Sequence, residues 1–284
     1  MLVLPCAIVR IIRTANIHYL PPLDVTEKSL KDKDRQYVTA LGRGLQILRC
    51  FTRATPALGT AEIARLTGIP QPTVWRLCHT LMVDGYLVSS DRSDKLSPGI
   101  PVLSLGYAAI AGTPVAELAR ADMQAIADRY QGAVSLGMRD GARMVYLQRC
   151  QGSSIVLRDL TVGSSVPLSS SVTGWAYVAG LSERKREELF RELQDAEEQN
   201  WPELLPKIRH ALEGYKHNGY IVNKGSLHEQ INAVAVPILS PDGATLLSLS
   251  SGGISQLFDD AKLAEIGGEL KQLAAKLAPA LRAV

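Results

Sequence analysis

The chain has 284 residues, 46% of them hydrophobic and 21% charged, with a net charge of +3. That balance excludes a disordered or fibrous chain and leaves room for two domains with proper cores. Charge alone does not single out a nucleic-acid binder: residues 37–98 hold seven Lys/Arg against four Asp/Glu, and the remainder after 98 is mildly acidic, an asymmetry compatible with a front end that meets phosphate.

Residues 1–36 open with an apolar run interrupted by Arg10 and Arg13. It is too short to span a bilayer, so the segment reads as a disordered or loosely packed extension and no membrane partner is expected. Over 39–52, Leu41, Leu45 and Leu48 recur at helical spacing, with Ile47 and Phe51 alongside, which predicts one buried helix face with Thr39 as its cap. A short second helix over 61–67 is capped by Thr60, and Gly68 stands where a helix needs a left-handed C-terminal residue. Ile69-Pro70 turns the chain into a third helix from Gln71 to Asp84, stopped by Gly85. Pro72 fits its first turn. Val74, Leu77, Cys78 and Leu81 form a core stripe; Pro72, Arg76, His79 and Val83 lie opposite, with Thr73 and Trp75 on the flanks. Two short β-type segments, "YLVSS" and "KLS", meet at the tip "DRSD".

Three helices, a tight turn and a hairpin over 37–98 make a winged helix-turn-helix. Its third helix would enter a major groove by its N-terminal end. Arg76 is suited to guanine edges, Thr73 and Gln71 to phosphate or bases, and Arg92 and Lys95 sit on the wing. The same pattern also fits a three-helix packing module with a solvated outer face.

Residues 99–113 read as a linker with a helix over 103–110, and Thr113-Pro114 starts a helix to Tyr130 with Val115, Leu118, Ala119, Ile126 and Tyr130 on one face. "VSLGM" and "RMVYLQR" alternate as strands around Asp140-Gly141, and "SIVLRDL" reads as a third strand. Helices are expected at about 172–180, 183–194 and 203–217, then strands "INAVAVPIL" and "ATLLSLSS", then a C-terminal helix capped near Asp259. Residues 114–284 therefore form an α+β domain.

No G-x-S-x-G, Walker A, G-x-G-x-x-G or H-E-x-x-H run is present, and the five His are scattered, so neither catalysis nor a cofactor is expected. His228 beside Glu229 has no nucleophile spaced with it. The four cysteines, Cys6, Cys50, Cys78 and Cys150, form no C-x-x-C pair; Cys50 and Cys78 read as small buried hydrophobes, a reduced, cytoplasmic usage with no metal site. "PLSSSVTGWA" brings Ser169, Ser170 and Ser171 to the start of a helix whose first amides, Val172 and Thr173, offer an anion site. Equally, Ser171 would simply cap that helix.

"LGRGLQILRCF…LGTAEIARLTGIPQPTVWRLCHTLMVDGYLV" resembles the DNA-binding half of the IclR family of bacterial transcription regulators. "AVSLGMRDGARMVYLQRC", "VGSSVPLSSSVTGWAYVAG" and "GYIVNKGSLHEQINAVAVPILSPDGATLLSLSSGGIS" resemble blocks of that family's effector domain. The resemblance implies a GAF-like second domain, a double-stranded DNA operator, and a homodimer or homotetramer. It also implies a pocket that includes the serine loop, Asn223, Ala233 and Ser251. The amide and hydroxyl donors of the loop suit a small organic acid, and Met138 reads equally as an apolar wall of that pocket or as ordinary core. The family often has a basic residue and then Ser at Gln71-Pro72, Glu at Ser226, His at Ser169 and a smaller residue at Trp175, which points to an unusual operator and ligand. The competing readings are an enzyme, or a protein-interaction adaptor using the front module without sequence-specific DNA binding.

Overall fold

The structure, a computed structural model, describes residues 35–90, 93–153, 160–197, 199–244 and 246–281. The extension read over 1–36 lies almost wholly outside the described residues, as does Arg92. Two compact units divide between Ala111 and Gly112.

The front unit is a winged helix-turn-helix. Helices α1 (Thr39–Arg49), α2 (Thr60–Thr67) and α3 (Gln71–Val83) precede a hairpin of β1 (Leu87–Ser90) and β2 (Ser93–Pro98), and α4 (Ile100–Ala111) closes the unit. Ile47, Cys50, Ile63, Val74, Cys78, Leu87 and Leu96 form its core. The α1 periodicity was misleading in detail: Leu41 and Leu45 are exposed, and Ile47 and Cys50 carry the buried face. Thr60 is not a cap either. Gly59 occupies that position, and its N–H donates to Glu62 Oε2 at 2.8 Å; a carboxylate three residues on replaces the side-chain cap. Gly68 ends α2 at φ +67°, a conformation that only glycine adopts without strain.

The back unit is an α+β domain. Its six-stranded antiparallel sheet has the order β5-β4-β3-β8-β7-β6, with β3 (Ala133–Asp140), β4 (Arg143–Gln151), β5 (Ser165–Pro167), β6 (Ile221–Lys224), β7 (Ile231–Leu239) and β8 (Leu246–Ile254). Strand side chains alternate between two cores. Val134, Leu136, Val234, Val236, Leu247 and Leu249 pack with α5 (Pro114–Tyr130) and α9 (Asp260–Leu277). Met144, Tyr146 and Ala235 face α6 (Val172–Gly180), α7 (Glu183–Ala196) and α8 (Trp201–Asn218). Leu118, expected on the buried face of α5, is exposed, and Met123 takes that place. The strand beside β4 is Ser165–Pro167; most of the expected strand "SIVLRDL" lies outside the described residues. Strand β6, too short to show a period, was not foreseen. No single helix among the described residues is long and apolar enough to cross a membrane.

Candidate functional site

In the front unit, α3 begins at the Ile69-Pro70 turn. The N–H groups of Thr73 and Val74 donate to Pro70 O at 2.9 and 3.0 Å, which fixes the first turn without a side-chain cap. Gln71, Pro72, Trp75, Arg76 and His79 all point outward, and Thr73 is half-buried. Trp75 and His79, one turn apart, stack with ring centroids 5.7 Å apart. An ion pair with Asp84 or Glu62 would give Arg76 a purely structural role. Glu62 instead pairs with Lys95 at 3.6 Å, and Arg76 makes no ion pair among the described residues. Lys95 is less free than the sequence implied, because it ties the wing to α2. The Gly59 N–H and then Lys95 hold the Glu62 carboxyl below the usual carboxylate range.

In the back unit, the serine loop runs from β5 into α6, and most of its polar groups are used internally. Ser171 Oγ accepts the Gly174 N–H at 3.1 Å and caps α6. Ser169 Oγ donates to the buried Glu197 at 2.6 Å, and Trp175 Nε1–H donates to Ser169 O at 2.7 Å. Asn223 Nδ2 donates to Ser170 O at 3.0 Å, so Asn223 ties the loop to β6. Gly174 is required by close approach: a Cβ there would lie 2.1 Å from Leu168 O. Trp175 is buried in the α6-side core rather than packed outward.

Two expected site residues lie elsewhere. Ser251 pairs across the ladders with Val134 and Val234, and both face the α5/α9 core. Met138 packs on that same core. A shift of one residue along a strand reverses the face, so Ser251 falls on the far side from α6, and Met138 takes its ordinary-core reading. Ala233 does face the α6 side. The strand residues that meet the first turn of α6 are different ones. Thr173 Oγ1 and Ser250 Oγ are 3.0 Å apart, and Ser250 Oγ donates weakly to Ser135 O at 3.4 Å. Arg149 Nη1 donates to Ser135 Oγ at 2.6 Å. Burial pushes the Tyr146 phenol up in pKa, opposed first by Arg149 and then by the hydroxyls of Thr173 and Ser135. The sequence signal for this set was partly available: Ser135 and Ser248 are polar between apolar strand neighbours, whereas Ser250 stands beside Ser251. The sheet register needed to place them was not. No cluster of His, Cys, Asp or Glu among the described residues has the makings of a metal site.

The IclR helix-turn-helix domain model matches residues 40–91, and the model for the bacterial transcriptional regulator IclR C-terminal domain matches residues 107–278. The HTH-type transcriptional regulator TsaQ1/TsaQ2 of Comamonas testosteroni is 30% identical over 91% of this chain and 94% of its own length. The crystal structure of an IclR family transcriptional regulator from Brucella abortus superposes with a TM-score of 0.80 at 37% identity, covering 88% of this chain and 95% of that one. An IclR homologue from Microbacterium hydrocarbonoxydans, complexed with 4-hydroxybenzoate, shares the fold at a TM-score of 0.66 and 21% identity, covering 86% and 100% of the two chains. With a winged helix-turn-helix in front and both halves of the family pattern matched in order, the chain belongs to the IclR family and is a DNA-binding transcriptional regulator.

Proposed function

We propose that this regulator works in the cytoplasm as a homodimer or homotetramer that reads its operator with α3 and changes its DNA affinity when a small organic acid binds at the N-terminus of α6. The observation that carries the sensing half is the first turn of α6. The amides of Val172 and Thr173 belong to a helix start, where N–H groups have no helical partner and the dipole favours an anion. The hydroxyls of Thr173 and Ser250 stand beside them. The 4-hydroxybenzoate bound by the Microbacterium relative supports a carboxylate as the ligand.

The operator half rests on the outward set Gln71, Pro72, Trp75, Arg76 and His79 and the half-buried Thr73, with the wing residues alongside. Assembly is supported by α4, which has no buried residue although Ile100, Leu103, Leu105 and Tyr107 are all large and apolar, Tyr107 being 72% exposed. A helix of that composition is ordinarily covered, and a second copy would cover it while presenting a second α3 to a near-palindromic site.

The test is a duplex-binding titration across a salt series, with and without 4-hydroxybenzoate. Affinity should fall steeply with salt through counterion release while preference for one site persists, and the carboxylate should shift the midpoint where 4-hydroxybenzamide does not. Salt-insensitive or sequence-blind binding refutes the operator half. An equal response to acid and amide refutes the carboxylate. A monomer at micromolar concentration by sedimentation, with and without DNA, refutes the assembly.

A further inference from the structure

The back unit holds an arginine with no counter-charge among the described residues. Arg149 projects from β4 onto the α6 side of the sheet, opposite Ser135 on β3. Its Nη1 donates to Ser135 Oγ, and its guanidinium lies over the Tyr146 ring, 5.4 Å from the centroid. Among the described residues, its buried Nε and Nη2 have no hydrogen-bond partner and no carboxylate pairs with the group. Other arginines of the same unit are satisfied. Arg139 pairs with Glu192 and Arg129 with Glu269; Arg143 donates to Ser165, and Arg186 to the carbonyls of Val178 and Leu181. A buried charge without a partner is strongly unfavourable, and burial accordingly pushes the Arg149 pKa down.

The unpartnered nitrogens are not an arbitrary pair. Nε and Nη2 form one edge of the guanidinium fork, the edge that matches the two oxygens of a carboxylate. From Arg149, polar contacts lead through Ser135 and Ser250 to Thr173 in the first turn of α6. A full positive charge and the positive end of a helix dipole therefore border one group of hydroxyls. Ser248, two residues before Ser250 on the same face of β8, adds another buried hydroxyl without a partner.

We infer that Arg149 is the charged anchor for an organic-acid ligand: its Nε and Nη2 take the carboxylate as a bidentate pair, and the hydroxyls of Ser135, Thr173, Ser248 and Ser250 orient it. This rests on the organic-acid reading above and adds the cation that the serine loop lacks. Because the edge is closed to solvent, a ligand reaching it must displace neighbouring atoms, so its charge is coupled to a rearrangement beside α6. Such differential contact is what lets a ligand shift a conformational equilibrium.

The experiment uses the full chain with benzoate and 4-hydroxybenzoate, each against its amide, read by thermal shift and by operator binding. Wild type should be stabilised by at least one acid and not by its amide. Arg149→Met should lose that stabilisation, with affinity for the acid reduced on the order of 100-fold, and Arg149→Lys should fall between them because it keeps the charge without the fork. Without ligand, Arg149→Met should melt at or above the wild-type temperature, since it removes an uncompensated buried charge. A clear drop in that temperature would make Arg149 a structural residue and overturn the anchor. An acid that stabilises Arg149→Met as well as wild type also overturns it, leaving the α6 amides as the site and the sensor reading intact. If acids bind through Arg149 yet leave operator affinity unchanged, the sensor reading fails and the anchor stands. No acid acting on wild type sinks both.

Discussion

Trp75 and Trp175 show how differently the two units use the same side chain. Trp75 stands on the outer face of α3, 59% exposed and stacked on His79. Trp175, two residues after Thr173 on α6, is 3% exposed and spends its N–H on the Ser169 carbonyl. The front unit turns the side chains proposed to meet DNA outward. The back unit turns polar groups inward, where the proposed small ligand would be surrounded. A residue facing water at a helical period is readable from pattern; one buried among hydroxyls depends on which strand lies beside which.

The contrast is sharpest in stability. Trp175→Ala leaves a large void beside α6 and removes the donor from Ser169 O, and should destabilise the back unit by about 3–5 kcal/mol. Trp75→Ala, at an exposed site, should stay within about 0.5 kcal/mol of wild type. Denaturant unfolding of the two variants measures both, and comparable losses would break the distinction. Next in size, Arg76→Ala should weaken operator binding by about 1–3 kcal/mol if the contact is bidentate to a base, with the melting temperature unchanged. A lower melting temperature with normal affinity per folded molecule would return Arg76 to a structural role.

Ser171→Ala removes the α6 cap and should lower stability by about 1 kcal/mol. A response to 4-hydroxybenzoate that persists in this variant separates the cap from the ligand site. The smallest effect concerns the tie between wing and α2. Glu62 has a lowered folded-state pKa, so its contribution is present above the ordinary carboxylate pKa and is lost as pH falls through the lowered value. Glu62→Gln should flatten the acid limb of the melting-temperature profile slightly, because the side chain is exposed and screened. The buried thiols behave in the opposite sense: burial pushes Cys50 and Cys78 up to about 11, so both should resist a thiol reagent at neutral pH until the front unit unfolds.

Much of the front unit was legible before any coordinates. Gly68, Pro70 and Pro72 punctuate the chain where α2 ends and α3 begins, and the Val74–Cys78 stripe lies inside. Leu41 and Leu45 misled because an apolar period marks a face to be covered without saying by what. In the back unit, the start of α6 was readable from Ser171 and the strands from their alternation. Arg149 was not singled out: in sequence it is one more charge at a strand end, and only pairing with Ser135 places it on the α6 side.

The sequence by itself determined the order of most elements, β5 and β6 excepted, the outward face of α3, the start of α6 and the family. Each follows from local chemistry: caps, turn residues, proline in a first turn, and the period of apolar residues. Tertiary structure decided that Ser250 and not Ser251 meets Thr173, that Met138 lies on the far side of the sheet, that Glu62 holds Lys95 and leaves Arg76 free of it, and that the Nε and Nη2 of Arg149 are buried with no counter-charge among the described residues. The physical reason is register. Side chains on a strand alternate faces every residue, so a one-residue difference that local sequence barely constrains reverses which core a group enters, and only pairing with distant strands fixes it.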